Sequence, residues 1–132
     1  MRTRPDPRAD ARGSAAVEFA LVLPLVLIVV LALVQVGLFV RDRQLVEAAA
    51  RAGARAAAVQ DDPSEVRAMS LAAAPGLDPA LTAIDIARTG TRGDPVEVRV
   101  TYTDPARVPL VAWLVGNGVT MSSSAVARQE FA

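Results

Sequence analysis

From Phe19 to Val40 the chain carries no charged side chain, whereas charges recur every few residues on either side. As a helix rising about 1.5 Å per residue this run is roughly 33 Å long, enough to cross a hydrocarbon core of about 30 Å. The pattern predicts one membrane-spanning helix. Beyond it Leu45, Ala49, Ala52, Ala56 and Val59 recur at spacings of four and three. That period predicts a helical continuation over residues 41–60 with one narrow stripe of small side chains. Glu47 lies four residues before Arg51, the favourable order for an ion pair on a helix surface. A stripe of alanines allows close approach, either to the chain's own sheet or to other subunits.

The pattern then changes twice. Asp61, Asp62, Pro63, Ser64 and Glu65 read as a helix entry, with Asp62 as the cap, Pro63 in the first helical position and Glu65 completing a capping box. This second helix is expected to reach Ala74 before Pro75 and Gly76, with Val66, Met69 and Ala73 inward. After Pro79 the period falls to two: Thr82, Ile84 and Ile86 form one alternating set, and Val96, Val98, Val100 and Tyr102 another. These predict half-buried strands, joined by a hairpin loop containing Gly90, Gly93 and Asp94. Asp85, Arg88, Glu97 and Arg99 are expected to face solvent. Residues 108–115, with Pro109, Trp113 and Leu114, read as a loop or short helix against the sheet edge or the membrane, Trp113 serving as a core or interfacial anchor. Residues 119–129 supply a third, weakly patterned strand, and residues 128–132 are expected to fray. The fold class expected is α+β and membrane-anchored.

The segment before the apolar run is polar, with Arg2, Arg4, Arg8 and Arg12 against Asp6 and Asp10, and it contains Pro5 and Pro7. It is expected to be unstructured. Its arginine excess predicts a cytoplasmic N-terminus by the positive-inside rule, although Arg41 and Arg43 on the far side weaken the contrast. Pro24, inside the run, has no N–H to offer the carbonyl of Ala20 and predicts a kink. Gln35 and Gly37, near the far end, suit a polar or close-packed contact between helices or an interfacial position.

Composition narrows the chemistry. The 132 residues leave room for one span and one small folded region, and so small a region leans on a helix, a membrane or neighbouring subunits. Fourteen basic and 14 acidic residues balance, so no basic face points to nucleic acid. There is no cysteine, histidine or lysine. Disulfides, the usual zinc sites, histidine-based triads and lysine chemistry are thereby excluded, and no cofactor, metal or small-molecule substrate is expected. Asp94, Glu97 and Asp104 are the carboxylates an enzyme would have to use, but no oriented base, metal-ligand spacing or phosphate loop accompanies them. The expectation is a protein that is not an enzyme.

The order Gly13, Ser14, Ala15, Ala16, Val17, Glu18, Phe19, Ala20, Leu21, with Pro24 soon after, resembles the processing site of type IV prepilins and pseudopilins. Its wording is similar to that of the TadE group of the tight-adherence pilus apparatus, and the likeness continues into the Ala/Arg-rich residues 47–58. In that family a membrane aspartyl peptidase cuts after a glycine and a glutamate is fifth in the mature chain; counted from Ser14, Glu18 is fifth. The resemblance implies a leader of residues 1–13 cleaved after Gly13, a transmembrane helix over 14–40, its extracytoplasmic continuation over 41–60, and a small α+β region over 61–132. It implies a minor pilin or pseudopilin of a Flp-type pilus or related secretion apparatus. The implied partners are a prepilin peptidase, other pilin and pseudopilin subunits, the inner-membrane assembly platform and the lipid bilayer.

Two accounts fit Glu18. In one it sits in the first helical turn at headgroup level, where the positive end of the helix dipole favours a carboxylate. In the other, cleavage creates an ammonium on Ser14 that meets Glu18 of a neighbouring subunit, setting register more than adding stability, because desolvating both ions offsets most of their attraction. The alternative to a processed subunit is an uncleaved, signal-anchored protein whose outer region binds another envelope protein. A cleaved secretory signal fits less well, because its apolar region runs about 7 to 15 residues.

Overall fold

The computed structural model describes the backbone of residues 7–104 and 118–130, and side chains from Ser14 onward. The expectations for residues 1–6, for the Pro109 and Trp113 segment and for the last two residues lie outside the described residues. Helix α1, Pro7–Val59, is a single helix of 53 residues, about 80 Å long. It begins inside the segment expected to be unstructured. Pro7 at the first position sacrifices only an N–H that would have no helical partner, and Ala9, Ala11, Arg8 and Arg12 are strong helix formers that continue the turn. The helix also stays helical on both sides of Pro24.

Only the far end of α1 belongs to the folded region. It lies across a three-stranded antiparallel sheet of order β1-β2-β3, with β1 at Thr82–Arg88, β2 at Pro95–Asp104 and β3 at Val119–Arg128. Helix α1 packs on β2 and β3, and helix α2, Pro63–Ala72, packs beside it on α1. The core lies between these layers. Val96, Val98 and Val100 have no exposed surface and Tyr102 has 1%, so the alternation in β2 reads directly as one face inward. Burying each such valine is worth about 1.5 to 3 kcal/mol. From α1 the core takes Val46, Ala49, Ala50, Ala54, Ala56 and Ala57. The inward stripe is therefore rotated from the expected one: Ala52 and Leu45 are half-buried and Val59 is exposed. In a helix this rich in alanine, several faces share the same spacing, and the sheet and α2 select the one that carries Val46.

Gly53 marks the closest approach. A Cβ there would collide with Ser70 Oγ and lie 2.9 Å from Val98 Cγ1, so the missing side chain lets α1 touch α2 and the sheet together. Ser70 is itself buried, its hydroxyl donating to the carbonyl of Val66 at 2.9 Å. It takes the inward place expected for Met69, which is 49% exposed. Asp62 caps α2 by accepting from the Ser64 N–H and hydroxyl, each at 2.8 Å. Helix α2 ends at Ala72, two residues short of the expected Ala74.

Arg88 contradicts the expectation that it faces solvent. It shares the parity of Ile84 and Ile86, which turns it toward the helix layer, and its side chain is 20% exposed. It donates to the carbonyls of Ala57 at 3.1 Å and Gln60 at 2.8 Å. These are groups that the end of α1 leaves without intrahelical partners. Nor do residues 128–130 fray: Gln129 is buried, its N–H donates to Asp94 and its carbonyl accepts from Gly93, while Glu130 N–H donates to Ala58. Asp94 and Gly93 belong to the expected hairpin loop, whose Gly90 and Gly93 take positive φ of 102° and 91°.

Candidate processing and membrane-assembly segment

The residues singled out at the start of the apolar run all lie on α1. Gly13 and Ser14 are consecutive within the helix. One turn separates Ser14 from Glu18, and that spacing brings their side chains together: the Ser14 hydroxyl donates to Glu18 Oε1 at 3.3 Å. Both are exposed, and Phe19 is 67% exposed. The contact gives Glu18 a local donor, but with α1 beginning at Pro7 Glu18 is not in the first turn of the helix, so the dipole account of it does not hold for the intact chain. It also leaves Glu18 in contact with the side chain of Ser14, the residue that would become the N-terminus if the chain were cut after Gly13.

Beyond Phe19 the helix projects away from the folded region with its apolar surface bare. The most apolar stretch of Ser14–Val59 has none of its residues buried. Leu21, Leu25 and Leu33 are 75%, 63% and 67% exposed, values that water tolerates poorly over so large a patch. By length and composition this is a candidate membrane span. Pro24 removes one hydrogen bond within it. Gly37 has nothing within 4 Å of where a Cβ would stand, which leaves that surface open to a close neighbour.

The alanines fall differently. Ala49 and Ala56 are 0% and 5% exposed in the core of their own chain, and Ala52 is half-buried. Their small size serves the packing of α1 on its own sheet and on α2. The sequence reading missed Val46, Ala50, Gly53 and Arg88 in this role; the parity of Arg88 with Ile84 and Ile86 was the signal for the last.

The three carboxylates considered for chemistry do not converge. Asp94 Oδ2 accepts from the Thr91 N–H at 2.8 Å in the hairpin loop. Asp104 closes the other end of β2, about 30 Å away along an extended strand. Glu97 sits between them near the surface, where the Arg99 side chain, hydrogen-bonded at 3.2 Å, and then the Ser124 hydroxyl hold its carboxyl below the usual range. An open concavity of about 520 Å³ is lined by Asp61, Pro63, Arg67 and residues 85–88; none of the residues singled out at the processing site lines it.

No curated protein and no solved structure matches the chain. Residues 13–55, running from the glycine before Ser14 through the exposed helix to the alanine-rich packing surface, match the model of the family described as TadE-like protein, and over that segment the chain is similar to that family.

Proposed function

We propose that this chain is a TadE-like minor pilin or pseudopilin that is cut between Gly13 and Ser14 by a prepilin peptidase. It then takes part in assembling a tight-adherence, Flp-type pilus or a related secretion apparatus. The observation that carries the reading is the TadE-like match over residues 13–55 on a helix whose apolar half is bare and whose one acidic residue there, Glu18, is fifth from Ser14. The chain sits in the cytoplasmic membrane with its N-terminus inside and its sheet outside. It performs no chemistry of its own. Before assembly, lipid solvates the exposed face of α1; after extraction, equivalent helices of other subunits cover the same surface, which lets a filament replace the bilayer.

One observation favours the rival, an uncleaved anchor that binds another envelope protein: the helix is continuous across Gly13 and Ser14, whereas a peptidase needs the backbone opened there. Gly13 lowers the cost of that opening, since glycine within a helix is about 1 kcal/mol less stable than alanine. A strain lacking the chain, supplied with the wild type or with Glu18→Leu, tests the assembly role. Surface pili are expected to disappear without the chain and to return with the wild type but not with Glu18→Leu. Full piliation in its absence contradicts the proposal.

A further inference from the structure

The apolar run of the sequence ends at Val40, but the bare surface of the helix ends earlier. On α1 Gln35, Leu38 and Phe39 are half-buried and Asp42 is fully buried, followed by Leu45 and Val46. These positions share one helical face, and Phe39 packs against the core cluster of the folded region. The folded region therefore occupies α1 from its last apolar turn onward. A sheet with open edges and irregular backbone does not enter hydrocarbon, because its polar groups have no partners there. Gln35 is also the first polar side chain after Glu18. Its Oε1 is buried without a hydrogen-bond partner among the described residues, and turning the amide outward would give it a partner among headgroups or interfacial water but none in hydrocarbon.

We propose that the bilayer's hydrocarbon ends at Gln35, not at Arg41, so that it spans about residues 15–34 and takes in Glu18. The proposal rests on the membrane reading above. Residues 19–34 alone would cover roughly 24 Å, some 6 Å short of a core of about 30 Å. Extending the span back to Ala15 closes the gap through Ala15, Ala16 and Val17, which are small or apolar. At the other end, residues 35–40 rise about 9 Å, comparable with one headgroup layer, and bring Arg41 and Arg43 to its aqueous side. Glu18 then lies a turn inside the hydrocarbon edge, with the Ser14 hydroxyl as its local donor at 3.3 Å. Left there, it favours any state that supplies it with a charged or polar partner.

The chain has no cysteine, so single nitroxide labels can be placed on the full-length protein in phosphatidylcholine–phosphatidylglycerol vesicles. Val17→Cys, Val29→Cys and Val36→Cys are exposed in the chain by 60%, 51% and 59%, so labelling leaves the fold intact. Collision rates with oxygen and with a water-soluble nickel complex report depth. The expected result is that the label at 29 is the deepest and that the label at 17 is deeper than the label at 36, which meets nickel several-fold more often than either. A label at 36 deeper than the label at 17 overturns the proposal and returns the span to residues 19–40. An aqueous label at 29 overturns the membrane reading itself, and the proposal with it.

Discussion

Arg88 at the end of β1 donates to the carbonyl of Ala57, 31 residues earlier in the chain, at 3.1 Å. With its second bond to Gln60 it binds the last turn of the long helix to the edge of the sheet. The accompanying ion pair with Asp61 is 3.8 Å long and Asp61 is 82% exposed, so that pair contributes little. The two bonds to carbonyls carry the effect. Arg88→Ala is expected to lower stability by about 2 kcal/mol, since bonds to a charged donor are worth roughly 1.5 to 3 kcal/mol. Arg88→Lys recovers less than half, because an ammonium lacks the planar fork. Hydrogen exchange on the full chain in detergent checks this: amides of residues 57–61 should lose protection in both variants. Unchanged exchange in Arg88→Ala contradicts the assignment.

Gly53 is expected to be costly to replace although alanine is the better helix former. Propensity favours Gly53→Ala by about 1 kcal/mol, but the new Cβ collides with Ser70 Oγ and stands 2.9 Å from Val98 Cγ1, and overpacking costs roughly 1 to 3 kcal/mol. Thermal unfolding in detergent should show a net loss that shrinks in a Ser70→Ala background, where the colliding hydroxyl is gone. A Gly53→Ala variant more stable than the parent would mean that α1 and α2 are not packed this closely.

Asp62 caps α2, and its carboxyl is held below the usual range by the Ser64 backbone N–H first and the Ser64 hydroxyl second. Asp62→Ala is expected to lower stability by removing this cap. The sign of the pH dependence follows from the lowered value. The contribution is fully present above the ordinary carboxylate pKa of about 3.9 and is lost as pH falls through the lowered folded value. Glu97, lowered chiefly by Arg99 and then by Ser124, acts in the same sense. Acid unfolding of Asp62→Ala should therefore be less steep than that of the wild type below about pH 4; equal slopes would remove the cap from the account.

The hydrogen bond from Ser14 to Glu18 is exposed, so Ser14→Ala is expected to change stability by no more than about 0.5 kcal/mol. If the segment acts as a processing site, the same variant should still be cut, because alanine is as small as serine, whereas Gly13→Leu should not be. Electrophoretic mobility after co-expression with a prepilin peptidase separates the cases. Cleavage of Gly13→Leu would contradict the assigned site.

The sequence carried much of this architecture because each signal had a strong physical cause. Val96, Val98, Val100 and Tyr102 alternate and are all buried, and the uncharged residues 19–40 could hardly be anything but one long apolar helix. Asp62 and Pro63 marked the start of α2 through chemistry local to that turn. What was not legible depended on partners far along the chain. Nothing within the alanine-rich helix tells Ala50 from Ala52, and only the sheet and α2 select the face centred on Val46 and Gly53. Arg88 was read by its charge, when the period of its own strand placed it inward. Ser70 displaced Met69 because the crossing at Gly53 admits a small side chain and excludes a long one.

The bond between Gly13 and Ser14 is where a processed subunit and an uncleaved anchor differ. Intact mass and N-terminal sequence of the protein taken from membranes, with and without an active prepilin peptidase, test it directly. The account predicts a chain that begins at Ser14 when the peptidase is active and retains its leader when it is not. A leader retained under both conditions would contradict it, leaving an uncleaved anchor in which Glu18 is a mid-helix residue beside Ser14.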